Sequence, residues 1–223
     1  MIGDLGPFWL SLRVASMATA LILTIGLPTA WVLARCRFPG KGLLAGLLIL
    51  PLVMPPTVLG FVLLLALGRR GWLGNWLEST WGWTLVFHWS GAVVASAVAA
   101  FPMFLVPARG AFEGVEPALE DAARLLGRSE PAVWLRVTIP LAWRGLAAGT
   151  VLAFARALGD FGATLMVAGD IPGRTRTASL AIFDAVSADQ PARAAGLSAL
   201  IALASIAAVL VAQRTMPARG VER

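Results

Sequence analysis

The sequence predicts an all-α integral membrane protein with about five transmembrane helices. Of its 223 residues, 58% are hydrophobic and only 13% are charged, and the mean hydropathy is +0.80. A soluble domain is typically about half apolar and about a quarter charged. The apolar residues also gather into long runs, and a helix needs roughly 20 such residues to cross a membrane. Composition and run length together favour a single transmembrane domain over residues 1–223.

Five apolar runs are long enough to be transmembrane helices. They cover about residues 8–34, 43–67, 85–107, 139–158 and 194–212. Pro51, Pro55 and Pro56 lie in the second run and should kink or break its helix. Two interpretations of these prolines are open. They either have a structural role alone, or they allow a helix that lines the transport pathway to bend during gating. Segment 161–193 is too interrupted for a sixth span and could hold a re-entrant segment or an interfacial helix.

The distribution of basic residues predicts the orientation, because lysine and arginine concentrate on the cytoplasmic side of a membrane protein. With the amino terminus outside, the cytoplasmic segments hold Arg35, Arg37, Lys41, Arg109, Arg124, Arg128, Arg136, Arg214, Arg219 and Arg223. The outside loops then hold half as many, namely Arg69, Arg70, Arg174, Arg176 and Arg193. The carboxyl terminus and the loop 109–138 are therefore expected in the cytoplasm. Topology accounts for the net charge of +6, so we expect membrane lipid and no nucleic acid around the chain.

Several function classes are disfavoured by the residues available. Cys36 is the only cysteine and His88 the only histidine, so neither a cysteine-based metal site nor a His-Glu-x-x-His motif is possible. A secondary anion transporter usually has internal repeats; none is visible here, and that class stays a less favoured alternative. The phosphate-loop pattern Gly-x-x-x-x-Gly-Lys-Ser/Thr is also missing. We therefore expect no catalytic activity and no metal or cofactor in this chain.

The loop 109–138 contains an amphipathic stretch with helix signals at both ends. Pro117 suits the first turn of a helix, Gly127 the left-handed position that ends one, and Ser129 the N-cap of a second short helix. One face of the first helix is apolar and comprises Val115, Leu119, Ala122 and Leu126. The charged residues largely off that face are Glu116, Glu120, Asp121 and Arg124. Such a helix either lies on lipid headgroups or docks a cytosolic partner, and the pattern leaves both open.

The same stretch resembles the "EAA" loop of permeases from importer-type ABC transporters. That motif reads Glu-Ala-Ala, three residues, Gly, nine residues, then Ile-x-Leu-Pro; here it is Asp121-Ala122-Ala123, Gly127 and Val137-Thr138-Ile139-Pro140. Asp replaces Glu, Val replaces Ile and Ile replaces Leu, with the spacing kept. In that family the loop forms coupling helices that sit in a groove of the ATP-binding subunit. The resemblance therefore assigns coupling to the region 113–137, with these residues: Glu120, Asp121, Ala122, Ala123, Gly127 and Pro140.

Three further stretches resemble the molybdate permeases within this family. They are "RCRFPGKGLL", "LPLVMPPTVLGFVLLLALGRRGWLG" and "LAFARALGDFGATLMVAGDIPGRTRT". The resemblance implies the type I ABC importer permease fold, a bacterial or archaeal cytoplasmic membrane, and import of molybdate by alternating access, with tungstate or sulfate as the alternative substrate. It also implies a homodimer, ABC ATP-binding subunits that bind the ATP and Mg²⁺, and an extracytoplasmic molybdate-binding protein.

Candidate gate residues lie at the end of the fourth run. Arg156 and Asp160 are four residues apart, and ionisable residues near a membrane span usually have a partner. They either pair with each other, facing the dimer axis, or leave Arg156 free to attract the oxyanion in transit. The remaining gate candidates are Gly159 and Gly162, which permit close packing or a bend, together with Pro55 and Pro56 of the second run. Arg174 and Arg176 either meet an acidic rim on the binding protein or are solvated charges.

Overall fold

A computed structural model describes residues 5–215 of the chain, and within that range the secondary structure is helical. A five-residue π-helical segment, Trp134–Thr138, lies between the seventh and eighth α-helices. The α-helices are α1 Gly6–Arg35, α2 Lys41–Val53, α3 Pro56–Leu67, α4 Trp72–Trp81, α5 Trp89–Glu113, α6 Pro117–Leu125, α7 Glu130–Val133, α8 Ile139–Leu158, α9 Gly162–Ala168, α10 Ala178–Ser187 and α11 Pro191–Thr215.

Four helices of the described chain are long and apolar enough to cross a membrane. They are α1, α5, the continuous helix Glu130–Leu158 that contains α7 and α8, and α11. The pair α2 and α3 qualifies only when the two are taken together, and they meet at a bend of 117°. The predicted all-α fold with about five spans is therefore confirmed, with the second span broken.

Contacts at the two ends of the bundle give the direction of the helices. Arg13, near the start of α1, stacks on Trp89 at the start of α5. Arg35, at the end of α1, donates a hydrogen bond to the carbonyl of Val115, just beyond the end of α5. The helices α1 and α5 are therefore parallel. Since α1 ends at the Arg35 end and α5 begins at the Trp89 end, the segment between them carries the chain back across the bundle.

Two of the predicted runs have different helix bounds in the structure, and a third is broken as its prolines predicted. The second run is not one helix over 43–67, because Pro55 and Pro56 interrupt it as the proline pattern predicted; Pro55 has no N–H to donate and sits in an extended conformation before α3. The third helix begins at Trp89 and continues to Glu113. The fourth begins at Glu130, well before residue 139. The loop predicted over 109–138 therefore shrinks to about 114–129.

The helix α5 forms the centre of the bundle and packs against both α1 and α8. Its buried side includes many alanines, among them Ala92, Ala95, Ala99, Ala100 and Ala108. A Cβ atom added at Gly149 of α8 would lie 3.0 Å from the carbonyl oxygen of Phe104, so the backbones of α5 and α8 are in close contact. Small residues at helix contacts are how membrane helices pack closely, since lipid gives them little hydrophobic drive to associate.

Segment 161–193 contains the short helices α9 and α10 and no sixth span. The helix α9 is mostly buried and packs against α3. Ser11 of α1 accepts a hydrogen bond from the backbone N–H of Ala178, which fixes the start of α10 near the Trp89 end of the bundle. Arg219 and Arg223, which contributed to the predicted orientation, lie outside the described residues.

Candidate functional site

The EAA segment, residues Glu120 to Gly127, has the helical geometry that its sequence predicts. Pro117 occupies the first turn of α6. Gly127 has a φ of +77°, so it adopts the left-handed conformation. Its N–H donates to the carbonyl of Arg124, and the N–H of Arg128 donates to the carbonyl of Ala123. This pair of bonds is a Schellman motif, which ends α6 sharply and sets the angle at which the chain leaves it.

The burial of α6 is the reverse of that of an ordinary amphipathic helix. Glu120 is buried, with 6% of its surface exposed. Leu125 and Leu126 are 89% and 83% exposed, and Leu119 is also exposed. Of the predicted apolar face, only Val115 is buried in the chain itself. The helix therefore turns a charged residue toward the bundle and leaves leucines exposed, which is typical of a surface that contacts a protein or a membrane.

Glu120 connects α6 to two transmembrane helices. Its Oε1 accepts a hydrogen bond from Thr138 Oγ1 at 2.7 Å and an ion-pair contact from Arg35 Nη2 at 3.2 Å. The same Arg35 Nη2 donates to the carbonyl of Val115 at 2.8 Å. Thr138 directly precedes α8, and Arg35 ends α1. We call this group, Arg35, Glu120 and Thr138, the clamp; it ties α6 to both helices.

Pro140 lies inside a continuous helix and not at the start of one. A proline in a helix has no N–H, and its ring collides with the carbonyl four residues earlier. The π-helical segment Trp134–Thr138 directly precedes it, and Ile139 N–H bonds to the carbonyl of Trp134. The wider turn relieves the collision and lets the helix continue, and such π segments often occur at functional sites.

Exposed ion pairs hold the two helices of the loop together. Arg124 contacts Asp121 at 2.6 Å within α6 and Glu130 at 2.7 Å at the start of α7. The hydrogen bond to Glu130, reinforced by that to Asp121, raises the pKa of the Arg124 guanidinium above its ordinary value. Ser129 occupies the N-cap position as predicted, but its side chain makes no capping hydrogen bond. The ion pair of Arg124 with Glu130 connects the start of α7 to α6 instead.

Asp160 is the centre of a second polar cluster, between α8 and α9. It is 2% exposed, and its Oδ1 accepts from Arg156 Nη1 at 3.1 Å. Its Oδ2 accepts from both the backbone N–H and the hydroxyl of Thr164, at 3.0 and 2.7 Å. The Thr164 hydroxyl is 3.2 Å from that of Ser96 in α5. The predicted Arg156–Asp160 pair is therefore present, and it also ties α8 to the first turn of α9 and to α5.

Two groups of gate candidates from distant parts of the sequence meet in space. A Cβ atom added at Gly162 would lie 2.8 Å from Cβ of Pro56, so α9 contacts the start of α3 directly. Gly159, at the end of α8, has no such neighbour, the nearest atom being 3.6 Å away. Pro55 is not among the atoms closest to Gly162; it is the N-cap residue of α3. The broken second span and the α8–α9 junction therefore form one structural unit.

Arg174 and Arg176, predicted as a similar pair, have different environments. Arg176 is largely buried and forms ion pairs with Asp170 at 2.7 Å and Asp184 at 2.8 Å. The solvated interpretation is therefore wrong for Arg176, because its charge is balanced within the chain. Arg174 is exposed and lies at the Trp89 end of the bundle.

Sequence reasoning missed the clamp partners of Glu120. The sequence analysis used Arg35 only to predict the orientation and Thr138 only as part of the EAA motif. Arg35 and Glu120 are 85 residues apart, so no local pattern connects them. Thr164 was also missed. The sequence feature that could have indicated Thr164 is its position, because it is a polar residue four positions after Asp160.

Comparison with known proteins gives one family over most of the chain. The family described as "Binding-protein-dependent transport system inner membrane component" matches residues 22–218. The molybdenum transport system permease protein ModB of Escherichia coli (strain K12) is 49% identical over 181 residues, which cover 79% of each chain. The protein of the same name from Haemophilus influenzae is 42% identical over 201 residues, covering 88% of this chain and 87% of that one.

A solved structure supports the fold independently of close sequence similarity. It is an inward-facing conformation of the MetNI methionine ABC transporter, with a TM-score of 0.66 and 16% identity, and the match covers 95% of each chain. At that identity the similarity extends to the fold and not to the substrate.

Proposed function

The chain belongs to the family of binding-protein-dependent transport system inner membrane components, and we propose that it is the membrane subunit of an ATP-driven molybdate importer. The observation that carries this proposal is the reversed burial of α6. A helix that buries Glu120 and exposes Leu125 and Leu126 is suited to a protein partner on the cytoplasmic side. A helix resting on lipid headgroups would also favour a basic polar face, whereas this one carries acids as well as arginine.

Coupling would pass from the partner to the membrane through the clamp. We propose that a groove on an ATP-binding subunit receives the exposed face of α6. Approach of the two ATP-binding subunits would then displace α6, and Glu120 would transmit the displacement to α1 through Arg35 and to α8 through Thr138. Differential binding of ATP to two conformations is what shifts the population between inward-facing and outward-facing states.

The anion pathway is proposed to pass the junction of α3, α8 and α9. The contact between Gly162 and Pro56 makes α9 and α3 move together. Asp160 is held by Arg156 and Thr164, so the negative charge that would repel an oxyanion is neutralised. The Arg156 side chain is 29% exposed and remains the candidate to attract the passing anion. We propose no high-affinity anion site in this subunit, since selectivity belongs to the binding protein.

The substrate, partners and orientation complete the proposal. The relatives described as molybdenum permeases support molybdate, with tungstate or sulfate as alternatives. The proposed complex contains two copies of this chain, two ATP-binding subunits that hold ATP and Mg²⁺, and an extracytoplasmic binding protein. The subunit itself would be non-catalytic. Its amino terminus would lie outside the cytoplasmic membrane and its carboxyl terminus inside, because the Arg35 end carries the larger share of basic residues.

The decisive experiment measures ATPase activity of the reconstituted complex. The binding protein is loaded in turn with molybdate, tungstate or sulfate, and we expect molybdate to stimulate most. Gly127→Trp should abolish stimulation. A Cβ at Gly127 meets no described atom within 4 Å beyond its chain neighbours, so the bulky side chain projects from an open surface toward the proposed partner.

Gly40→Trp is the matched control, since Gly40 has a similar φ of +82° and equally open space. It should keep most of the stimulation. Stimulation by sulfate alone would refute molybdate as the substrate but would leave the proposed ATP-driven importer intact. Equal activity of Gly127→Trp and wild type would refute the docking of α6.

A further inference from the structure

A basic cavity lies at the Trp89 end of the bundle, opposite the clamp. It has a volume of about 380 Å³ and is formed by the start of α1, the start of α5 and the loop after α9. Four basic residues line it: Arg13, His88, Arg174 and Arg176. Among the residues that the structure describes, no aspartate or glutamate lines it. Such a cavity is chemically suited to an anionic group.

The loop that carries Arg174 is rigidly built. Thr175 Oγ1 accepts from the N–H of Ile171 and donates to the carbonyl of Gly169, both at 3.1 Å. The backbone N–H of Arg174 donates to the carbonyl of Ile171 at 3.1 Å. Arg176 anchors the loop through its two ion pairs. The backbone at Arg174 is therefore fixed at the surface, so little backbone entropy is lost when its side chain binds a partner.

Phe87 lies beside Arg174 in an unusual conformation. Its φ is +58° and 61% of its surface is exposed. Phe87 and Arg174 both line the basic cavity and also a second cavity of about 610 Å³. Strained backbone persists mainly at functional sites, and arginine and aromatic residues recur at the centres of protein interfaces.

The charges of Arg13 and Arg174 are not balanced within the described chain. Arg13 stacks on Trp89 at 4.1 Å, and residues 5–215 provide no carboxylate partner for either arginine. In the proposed orientation both lie at the extracytoplasmic end of the bundle, where the usual charge bias disfavours arginine. Their presence there is accounted for by a partner of negative charge.

We propose that Arg13, Phe87 and Arg174 form a docking surface for acidic side chains of the extracytoplasmic binding protein. This inference rests on the proposed function and specifies the surface and chemistry of one partner. A carboxylate fits the basic cavity, and the exposed Phe87 ring gives the apolar contact that accompanies charge pairs at protein interfaces. A lipid phosphate would need neither the rigid loop nor the strained aromatic residue.

The test uses the assembled complex in discs of phosphatidylcholine. The quantity measured is the concentration of molybdate-loaded binding protein that gives half-maximal ATPase stimulation. Arg174→Glu should raise it about tenfold, and Arg174→Ala by a smaller factor, with maximal stimulation unchanged. Arg193→Glu is the matched control, because Arg193 is exposed, belongs to the same predicted outside loop and lines neither cavity. It should change the concentration less than about twofold, as expected of an isolated surface charge.

A direct contact also predicts rescue. At least one Asp→Lys or Glu→Lys change on the binding protein should restore the half-maximal concentration with Arg174→Glu and not with Arg193→Glu.

Several results would overturn the inference while leaving the proposed function intact. These are equal shifts for Arg174→Glu and Arg193→Glu, no rescue by any acidic-to-lysine change, or an effect of Arg174→Glu that appears only in discs containing phosphatidylglycerol. Stimulation of wild type by free molybdate without the binding protein, lost in Arg174→Glu, would assign the cavity to the ion itself and also overturn it. If no loaded binding protein stimulates wild type, the proposed function fails and the inference with it.

Discussion

Replacing Arg35 by methionine tests the clamp in the simplest way, since methionine keeps much of the side-chain volume and removes the charge. The side chains of Arg35 and Glu120 are 18% and 8% exposed. Removing one partner of a buried ion pair typically costs about 3–5 kcal/mol, because the other charge stays buried without compensation. Arg35 Nε has no hydrogen-bond partner among the described residues, so the pair is imperfect. We therefore expect Arg35→Met to lower the free energy of unfolding by about 3 kcal/mol, the lower end of that range.

The charge of Glu120 can be removed as well. The double variant separates the cost of burying an unpaired charge from the contribution of the ion pair itself. In Arg35→Met/Glu120→Leu no charge remains buried, and replacing a buried pair by apolar residues is often neutral. The double variant should therefore be more stable than Arg35→Met alone. In the proposed mechanism the double variant should transmit displacement of α6 poorly to α1 and α8. The ATPase activity of the complex should therefore respond weakly to loaded binding protein, although the subunit folds.

Equilibrium unfolding of the purified subunit in mixed micelles, followed by tryptophan fluorescence, gives the free energies. Arg109→Met is the matched control, because Arg109 forms an i,i+4 pair with Glu113 at 2.7 Å that is largely exposed. Such a pair is worth about 0.3–0.5 kcal/mol. If Arg35→Met costs no more than Arg109→Met, or if the double variant is the least stable of all, the account of the clamp is refuted.

Two further substitutions test packing and hydrogen bonding by the same unfolding assay. Gly162→Ala should cost roughly 1–3 kcal/mol because its Cβ would press on Pro56 at 2.8 Å, whereas Gly159→Ala, which meets nothing closer than 3.6 Å, should cost clearly less; the reverse order would contradict the close contact of α9 with α3. Thr138→Val removes the hydroxyl that donates to Glu120 at 2.7 Å and should cost roughly 1.5–3 kcal/mol, as for hydrogen bonds to charged groups. A cost within a few tenths of a kcal/mol would indicate that Thr138 is not part of the clamp.

The features that could be predicted from sequence are those set by local chemistry. Pro117 and Gly127 define the ends of α6 within their own turns, and the adjacent Pro55 and Pro56 break the second span because neither can donate a backbone hydrogen bond. The Arg156–Asp160 pair, four residues apart on one helix, belongs to the same group.

The features that escaped prediction depend on packing between distant segments. The burial of Glu120 follows from the position of Arg35, 85 residues earlier, and no periodicity in α6 reports it. The hydrophobic pattern gave the composition of the two faces of α6 but not which face meets the bundle. The adjacent prolines predict a break between α2 and α3 but neither its angle of 117° nor the contact of Pro56 with Gly162, which only the folded chain brings together.

The exposed leucines of α6 also have a consequence for how the cell handles copies of this subunit made in excess. In the proposed complex an ATP-binding subunit covers Leu125 and Leu126. Without that subunit, the chain would present to the cytosol the kind of apolar patch that favours aggregation and capture by chaperones and proteases. The surface used for coupling would thus also act as a check on stoichiometry. We expect the half-life of the subunit to fall in cells that lack the ATP-binding chain and to recover when Leu125 and Leu126 are made polar. Membrane subunits without an ATP-binding partner would then be removed through the same surface that, in the proposed complex, couples assembled subunits to ATP.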